Sequence, residues 1–273
     1  MKFLPVLLSL CLAACSALPT PAERTRLADD LAAGRHWVPR DIQAGSFLLR
    51  AYLPDRPTPS DELTIYLEGD GLAWINSTQP AADPTPRDPL ALRLAIAQPG
   101  GPVAYLARPC QHVGTDTADC RQSYWTDGRF APEVVAATNH AIERIKRDFS
   151  ARRLTLVGYS GGGAVAALVA ARRHDVVRLV TVAGNLDHQA WSRQHRLTPL
   201  AASLNPADVA GSLKHVAHWH LVGGRDTNIT PEQTRSFLAR GGLPQSAMQV
   251  VEHFDHRCCW VEAWPRLWQT ARP

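Results

Sequence analysis

The 273-residue chain lacks several features that would each have set its class. It has no apolar run of the roughly 20 residues that a membrane-spanning helix takes, so no transmembrane helix is expected. Its charge has no dominant sign: the net charge is only +4, and pairs such as Arg152-Arg153 and Arg172-Arg173 flank predicted elements without building a stripe. That removes the electrostatic footprint of a nucleic-acid binder. There is no internal repeat and no low-complexity tract, and at 45% hydrophobic and 20% charged residues the composition is that of one large globular domain. Cysteine is sparse, and its spacing matches no usual zinc-ligand set. Neither a metal nor an organic cofactor is expected.

What is present begins with "MKFLPVLLSLCLAACSALPTPAE". One lysine, an apolar run from Phe3 to Ala14 and small residues before Cys15 read as an export signal, too short to span a bilayer. Residues 1–14 are expected to be the signal peptide and 15–24 a tether. Leu12-Ala13-Ala14-Cys15 resembles the lipobox of bacterial lipoproteins. That resemblance implies lipidation at Cys15 and a membrane surface as partner, and Ser16 implies the outer membrane, facing the periplasm. An ordinary signal peptide cleaved at another small residue is the alternative. Export leaves Cys110, Cys120, Cys258 and Cys259 where pairing is permitted, with three possible connectivities. The favoured pair is Cys110 with Cys120, closing "CQHVGTDTADC". Cys258 and Cys259 could bridge each other, pair elsewhere or stay thiols.

Along the chain, a short helix is expected over Thr25 to Ala33. "SFLLRAYL" and "LTIYLEGDG" read as strands joined by the turn-rich "PDRPTPSDE" into a hairpin. The Pro- and Asp-rich tract from Gly71 to Arg87 reads as a long surface loop. From Pro132 to Phe149, the positions Val135, Thr138, Ile142, Ile145 and Phe149 recur at helical spacing. "VVRLVTVAG", "HVAHWHLVGG" and "MQVVEHF" are further strands. Thr230, Pro231 and Gln233 read as a capping box with proline at the first helical position, and "CWVEAWPRLWQ" reads as a closing helix interrupted at Pro265. Strand and helix alternate from Pro89 onward. The fold class is therefore α/β, a mainly parallel sheet with helices on both faces and a leading antiparallel hairpin, binding ligands beyond the carboxyl ends of its strands.

Within that frame, Gly158-Tyr159-Ser160-Gly161-Gly162 lies between a strand and a helix. Glycines permit the sharp turn that lifts a serine hydroxyl clear of the sheet, and the Gly161 N–H at a helix start can stabilise an oxyanion. A serine needs a base, and the base needs an orienting carboxylate. Asp226 in "HLVGGRDTNIT" and His256 in "VVEHFDHRCCW" each follow a strand, in the order serine, acid, histidine. Asp187 in "VTVAGNLDH" is the alternative acid, with capping of the segment over the site as its other role. His253 falls in the strand pattern, and the alternating His218 and His220 read as strand residues without a chemical role. Glu68-Gly69-Asp70-Gly71 ends another strand; the Asp70 backbone N–H is the expected second oxyanion donor, with Gly71 the alternative and a plain glycine turn the competing reading.

From about Ser46 to the end, the chain resembles the serine-nucleophile α/β-hydrolases. "YLARPC", "YWTDGRF", "GYSGGGAVAALVA", "TVAGNLDHQAW" and "VGGRDTNI" are similar to segments of poorly characterised proteobacterial secreted or lipoprotein hydrolases. The acidic loop at 68–71 and the double cysteine after His256 depart from the usual pattern. The resemblance implies one α/β-hydrolase domain over 25–273 and cleavage of a carboxylic ester, thioester or amide of a small acyl substrate, through an acyl-enzyme on Ser160. Segment 184–214 is too long for a tight connection and is expected to form a small cap, whose Trp191, Leu197, Leu200 and Leu204 line an acyl site or form the cap's own core. Tyr124 and Trp125 are expected to pack under a disulfide-closed loop. An acyltransferase on the same elbow and a non-catalytic cell-envelope lipoprotein are the competing classes.

Overall fold

A computed structural model describes residues 18–116 and 119–270. The expected signal peptide, Cys15 and Ser16 lie outside the described residues. Helix α1 (Pro21–Ala33) starts earlier than Thr25, which shortens the expected tether. Thr20 explains the start: its hydroxyl accepts from the Glu23 N–H while the Glu23 carboxylate accepts from the Thr20 N–H, a reciprocal cap with proline at the first helical position.

Strands β1 (Trp37–Ala44) and β2 (Phe47–Pro54) form the leading antiparallel hairpin around Gly45 and Ser46. The hairpin therefore uses a strand not expected from the sequence, because Pro39 breaks the β pattern of "WVPRDIQA". Proline is tolerated there because β1 is the sheet edge. β3 (Glu62–Leu67), expected to pair with β2, instead pairs in parallel with its neighbours on both sides.

Helix α2 (Leu90–Ala97) leads into β4 (Val103–Leu106), and α3 (Pro132–Asp148) into β5 (Arg153–Tyr159). Helix α4 (Gly161–Ala170) and β6 (Val176–Val182) follow, then α5 (His188–His195) and α6 (Pro206–Val209). β7 (Ala217–Gly223), α7 (Pro231–Gly241), β8 (Met248–Val251) and α8 (Trp260–Thr270) complete the fold. The strand order is β1-β2-β4-β3-β5-β6-β7-β8, parallel from β4 to β8.

Helices cover both faces, as parallel strands buried on two sides require. On one face α3, α4 and α7 bury Val135, Ile142, Ile145, Val165, Leu168 and Phe237. On the other, α1, α2 and α8 bury Ala28, Leu92, Leu94, Trp260 and Trp264. Because β4 and β5 lie on opposite sides of β3, the connections diverge at the carboxyl ends of β3 and β5, the switch point where such sheets open a crevice.

Three further expectations change. Pro265 lies inside α8 without interrupting it. The capping box at Thr230 and Gln233 does not form: the Gln233 amide donates instead to Gln194 Oε1 at 2.9 Å, tying α7 to the segment after β6. The tract after Gly71 is irregular but partly buried, since the buried Arg24 guanidinium donates to the Thr85 carbonyl and pairs with Asp83, and Trp125 Nε1 donates to the Ala81 carbonyl. Cys110 is bonded to Cys120 and packs with Ala73 and Trp125, while Cys258 and Cys259 form a vicinal bridge. Among the described residues, no helix is long and apolar enough to cross a membrane.

Candidate active site

The turn after β5 fixes Ser160 at φ 51° and ψ −120°, a conformation costing about 1–3 kcal/mol for a non-glycine residue. The surroundings hold it there. Its N–H donates to the Val182 carbonyl, and its own carbonyl accepts from Gly163 and Asn185, each at 3.0 Å. Gly162 is obligatory, because a β-carbon there would lie 2.2 Å from the Leu67 carbonyl oxygen.

Ser160 Oγ lies 3.0 Å from His256 Nε2, and His256 Nδ1 lies 2.9 Å from Asp226 Oδ2. The loop after β7 holds Asp226 buried, with Oδ1 accepting from the Asn228 and Ile229 N–H groups at 2.8 Å each. An ionised carboxylate only accepts, so His256 Nδ1 carries its proton and Nε2 is left to accept from the serine hydroxyl. The Tyr159 hydroxyl donates to the His256 carbonyl at 3.1 Å and further fixes the histidine loop.

The competing candidates lie elsewhere. Asp187 caps α5 through the Ala190 N–H at 3.1 Å, accepts from the Asn205 amide, and pairs with Arg240 at 3.3 Å. His253 is exposed beside Arg225. His220 is fully buried against Thr181 Oγ1 at 2.8 Å, and burial pushes its imidazole down to about 3, so it stays neutral.

The N–H groups of Gly161 and Asp70 have no acceptor among the described residues. Their segments touch: a β-carbon on Gly161 would lie 1.9 Å from Asp70 Oδ1. The acidic side chain is neutralised in place, with Arg129 Nη1 at 2.7 Å from Oδ2 and Arg108 Nη1 at 3.4 Å from Oδ1. Gly71, the alternative donor, has φ +65°, and a β-carbon there would meet the Pro84 carbonyl at 2.0 Å. Glu68 is buried at the start of that loop. It accepts from the N–H groups of Gly69 and Ala91 at 2.9 and 3.3 Å and from the Tyr105 hydroxyl at 3.1 Å. Burial raises its carboxyl to about 7.

Ser160 and His256 open into a cavity of about 500 Å³. Leu72, Trp74, Trp191, Leu197 and Leu200 line it with apolar surface, so three of the four cap-segment residues in question face the cavity. Leu204 does not line it and packs against the hydrophobic core, to which Trp191 and Leu200 also contribute. Tyr124 meets Phe47 edge-on and Trp125 packs beside the Cys110–Cys120 bridge; neither lines the cavity.

Asn228 was not expected at the site. Its amide nitrogen lies 3.2 Å from His256 Nε2, and its Oδ1 accepts from Trp191 Nε1 at 3.0 Å. The only local signal is its place two residues after Asp226, in the turn that Asp226 closes. Among the described residues, no group of three or more His, Cys, Asp or Glu side chains could hold a metal ion.

No protein-family model matches the chain, and no curated protein matches it. Its structure is similar to those of solved proteins of low sequence identity. The Pyrococcus furiosus esterase Pf2001 superposes with a TM-score of 0.59 at 14% identity, over 87% of this chain and 91% of the esterase. An alpha-beta serine hydrolase homologue from Coxiella burnetii gives 0.57 at 16%, over 85% and 94%. Est1E from Butyrivibrio proteoclasticus gives 0.56 at 14%, over 86% and 99%.

Proposed function

We propose, from the premise that the chain has the α/β-hydrolase fold, that it is a serine hydrolase cleaving carboxylic esters through an acyl-enzyme on Ser160. The observation that carries this reading is the continuous hydrogen-bonded line from Ser160 Oγ through His256 to buried Asp226, opening into a cavity. The name of Pf2001 as an esterase supports it by analogy of fold.

In this mechanism Ser160 Oγ attacks the ester carbonyl while His256 Nε2 takes its proton. Asp226 holds the imidazole and stabilises the imidazolium. The N–H groups of Gly161 and Asp70 receive the developing oxyanion, and one such donor is worth roughly 10²–10³ in rate. Collapse of the tetrahedral intermediate breaks the bond to the alcohol oxygen, which leaves with the proton from His256. Water, deprotonated by the same nitrogen, then attacks the acyl-enzyme and frees the acid and Ser160. The apolar lining residues of the cavity suit a small acyl group.

We place the mature chain at the outer membrane, facing the periplasm, on a lipid at Cys15. Detergent phase partitioning of the full-length product should send the parent to the detergent phase and Cys15→Ser to the aqueous phase.

The enzymatic reading is tested with the signal-free chain and p-nitrophenyl esters of two- to eight-carbon acids, with products analysed in the presence and absence of methanol. Mostly free acid supports a hydrolase, mostly methyl ester an acyltransferase, and turnover that survives Ser160→Ala would remove the mechanism.

A further inference from the structure

The cavity over Ser160 has an electrical asymmetry that ester cleavage alone does not call for. Arg87, Arg129 and Arg257 line it, together with Glu68, Asp70 and Asp88. The acids are already engaged. Asp70 is held between Arg108 and Arg129, and Asp88 pairs with Arg93. Glu68 is buried in its own set of donors, and burial raises its carboxyl to about 7. Two of the cations are not engaged: among the described residues, neither Arg87 nor Arg257 makes an ion pair within 4.0 Å. The carboxylate next to Arg257, Asp255, turns its Oδ1 to the backbone N–H groups of Arg257 and Cys258.

Both guanidiniums are exposed and border the same cavity as Ser160 and His256. Arg257 immediately follows His256, so its backbone is placed by the loop that positions the base. Trp74, Trp191 and Leu197 line the same cavity. A cleft with low-dielectric walls and unpaired charge of one sign focuses its field on what enters. Guanidinium groups present paired donors matched to carboxylate and phosphate oxygens.

We propose that this cavity selects esters that also carry an oxyanion, a carboxylate or a phosphate, which Arg87 and Arg257 bind while Ser160 faces the ester carbonyl. The proposal rests on the serine-hydrolase reading for the chemistry, but the anion preference is measurable without turnover.

The test is calorimetric titration of Ser160→Ala at low salt. Ethyl hydrogen succinate is compared with neutral diethyl succinate, and 2-acetoxyethyl phosphate with neutral 2-methoxyethyl acetate. At least one anion should bind ten-fold or more tightly than its neutral partner, and the pair that responds identifies the source of the oxyanion. The preference should fall below about three-fold in Ser160→Ala carrying Arg87→Gln and Arg257→Gln, with circular dichroism reporting that the fold is kept. Both arginines are exposed, so glutamine leaves no buried hole. Equal binding of charged and neutral partners in both pairs, or a preference that survives the two glutamines, overturns the proposal. Labelling of the parent at Ser160 by a fluorophosphonate reports the hydrolase reading separately. Anion preference without labelling would keep the cavity assignment and remove the enzyme, whereas labelling without preference would do the reverse.

Discussion

Arg129 Nη1 lies 2.7 Å from Asp70 Oδ2, joining the loop after β4 to the loop after β3 beside the nucleophile. An acidic residue would otherwise oppose the oxyanion that its own backbone N–H is placed to receive. Arg108, behind the pair, remains cationic at neutral pH although burial lowers it to about 10. Arg129→Met should therefore lower kcat/KM for a neutral ester by about 100-fold, one oxyanion donor's worth, and cost about 3 kcal/mol in denaturant unfolding, the low end for breaking a buried pair because Arg108 stays beside Asp70. Asp70→Asn keeps the N–H and should lose less activity. Combining the two changes should recover part of the Arg129→Met loss; strict additivity would dissociate the pair from the site.

The strained backbone of Ser160 makes a prediction about stability. Ser160→Gly and Ser160→Ala both remove the hydroxyl, yet only glycine is at ease at φ 51°. The glycine variant should be more stable than the alanine variant by about 1 kcal/mol in urea unfolding. Equal midpoints would mean that the turn relaxes once the hydroxyl is gone.

Glu68 ties stability to pH. Its carboxyl rises from 4.5 to about 7 because burial disfavours the charge. Between those values the folded chain binds more protons than the unfolded one, so this residue's contribution is full below pH 4.5 and is lost as pH rises through 7. Glu68→Gln keeps a carbonyl oxygen for Gly69 and Ala91 and carries no charge. Relative to the parent, its stability should improve by about 3 kcal/mol between pH 4.5 and pH 8, read from unfolding midpoints; a constant difference would contradict the burial argument.

Asn228 joins Trp191 to His256, so Asn228→Ala should loosen the imidazole and free the indole at once. We expect kcat to fall about ten-fold with a smaller change in KM, the sign of a group acting on geometry in the transition state. Loss confined to KM would assign Asn228 to substrate binding.

These residues divide between what local sequence carries and what only the fold assembles. The Ser160 turn is legible because glycines at Gly158, Gly161 and Gly162 sit between a β-branched run and an alanine-rich one. Asp226 and His256 are legible because each follows a strand in the right order. The β1–β2 hairpin is hidden by Pro39, which an edge strand accepts and a propensity reading rejects. Thr230 and Gln233 have the spacing of a cap, but tertiary contact with Gln194 claims the glutamine side chain. Asp70 and Arg129 are 59 residues apart, and no periodicity links them. The sequence marks the 68–71 loop as unusually acidic; the two arginines that neutralise Asp70, 21 residues apart, both come from the connection after β4, which the sheet sets beside the loop after β3.

The central claim is that His256 and Asp226 activate Ser160, and the most direct measurement is fluorophosphonate labelling of the folded, signal-free chain with the modified peptide read by mass spectrometry. We expect one label per chain, on Ser160, abolished in Ser160→Ala and slowed by at least about 100-fold in His256→Ala. An unlabelled folded parent, or labelling of Ser160 at the same rate without His256, would contradict the account.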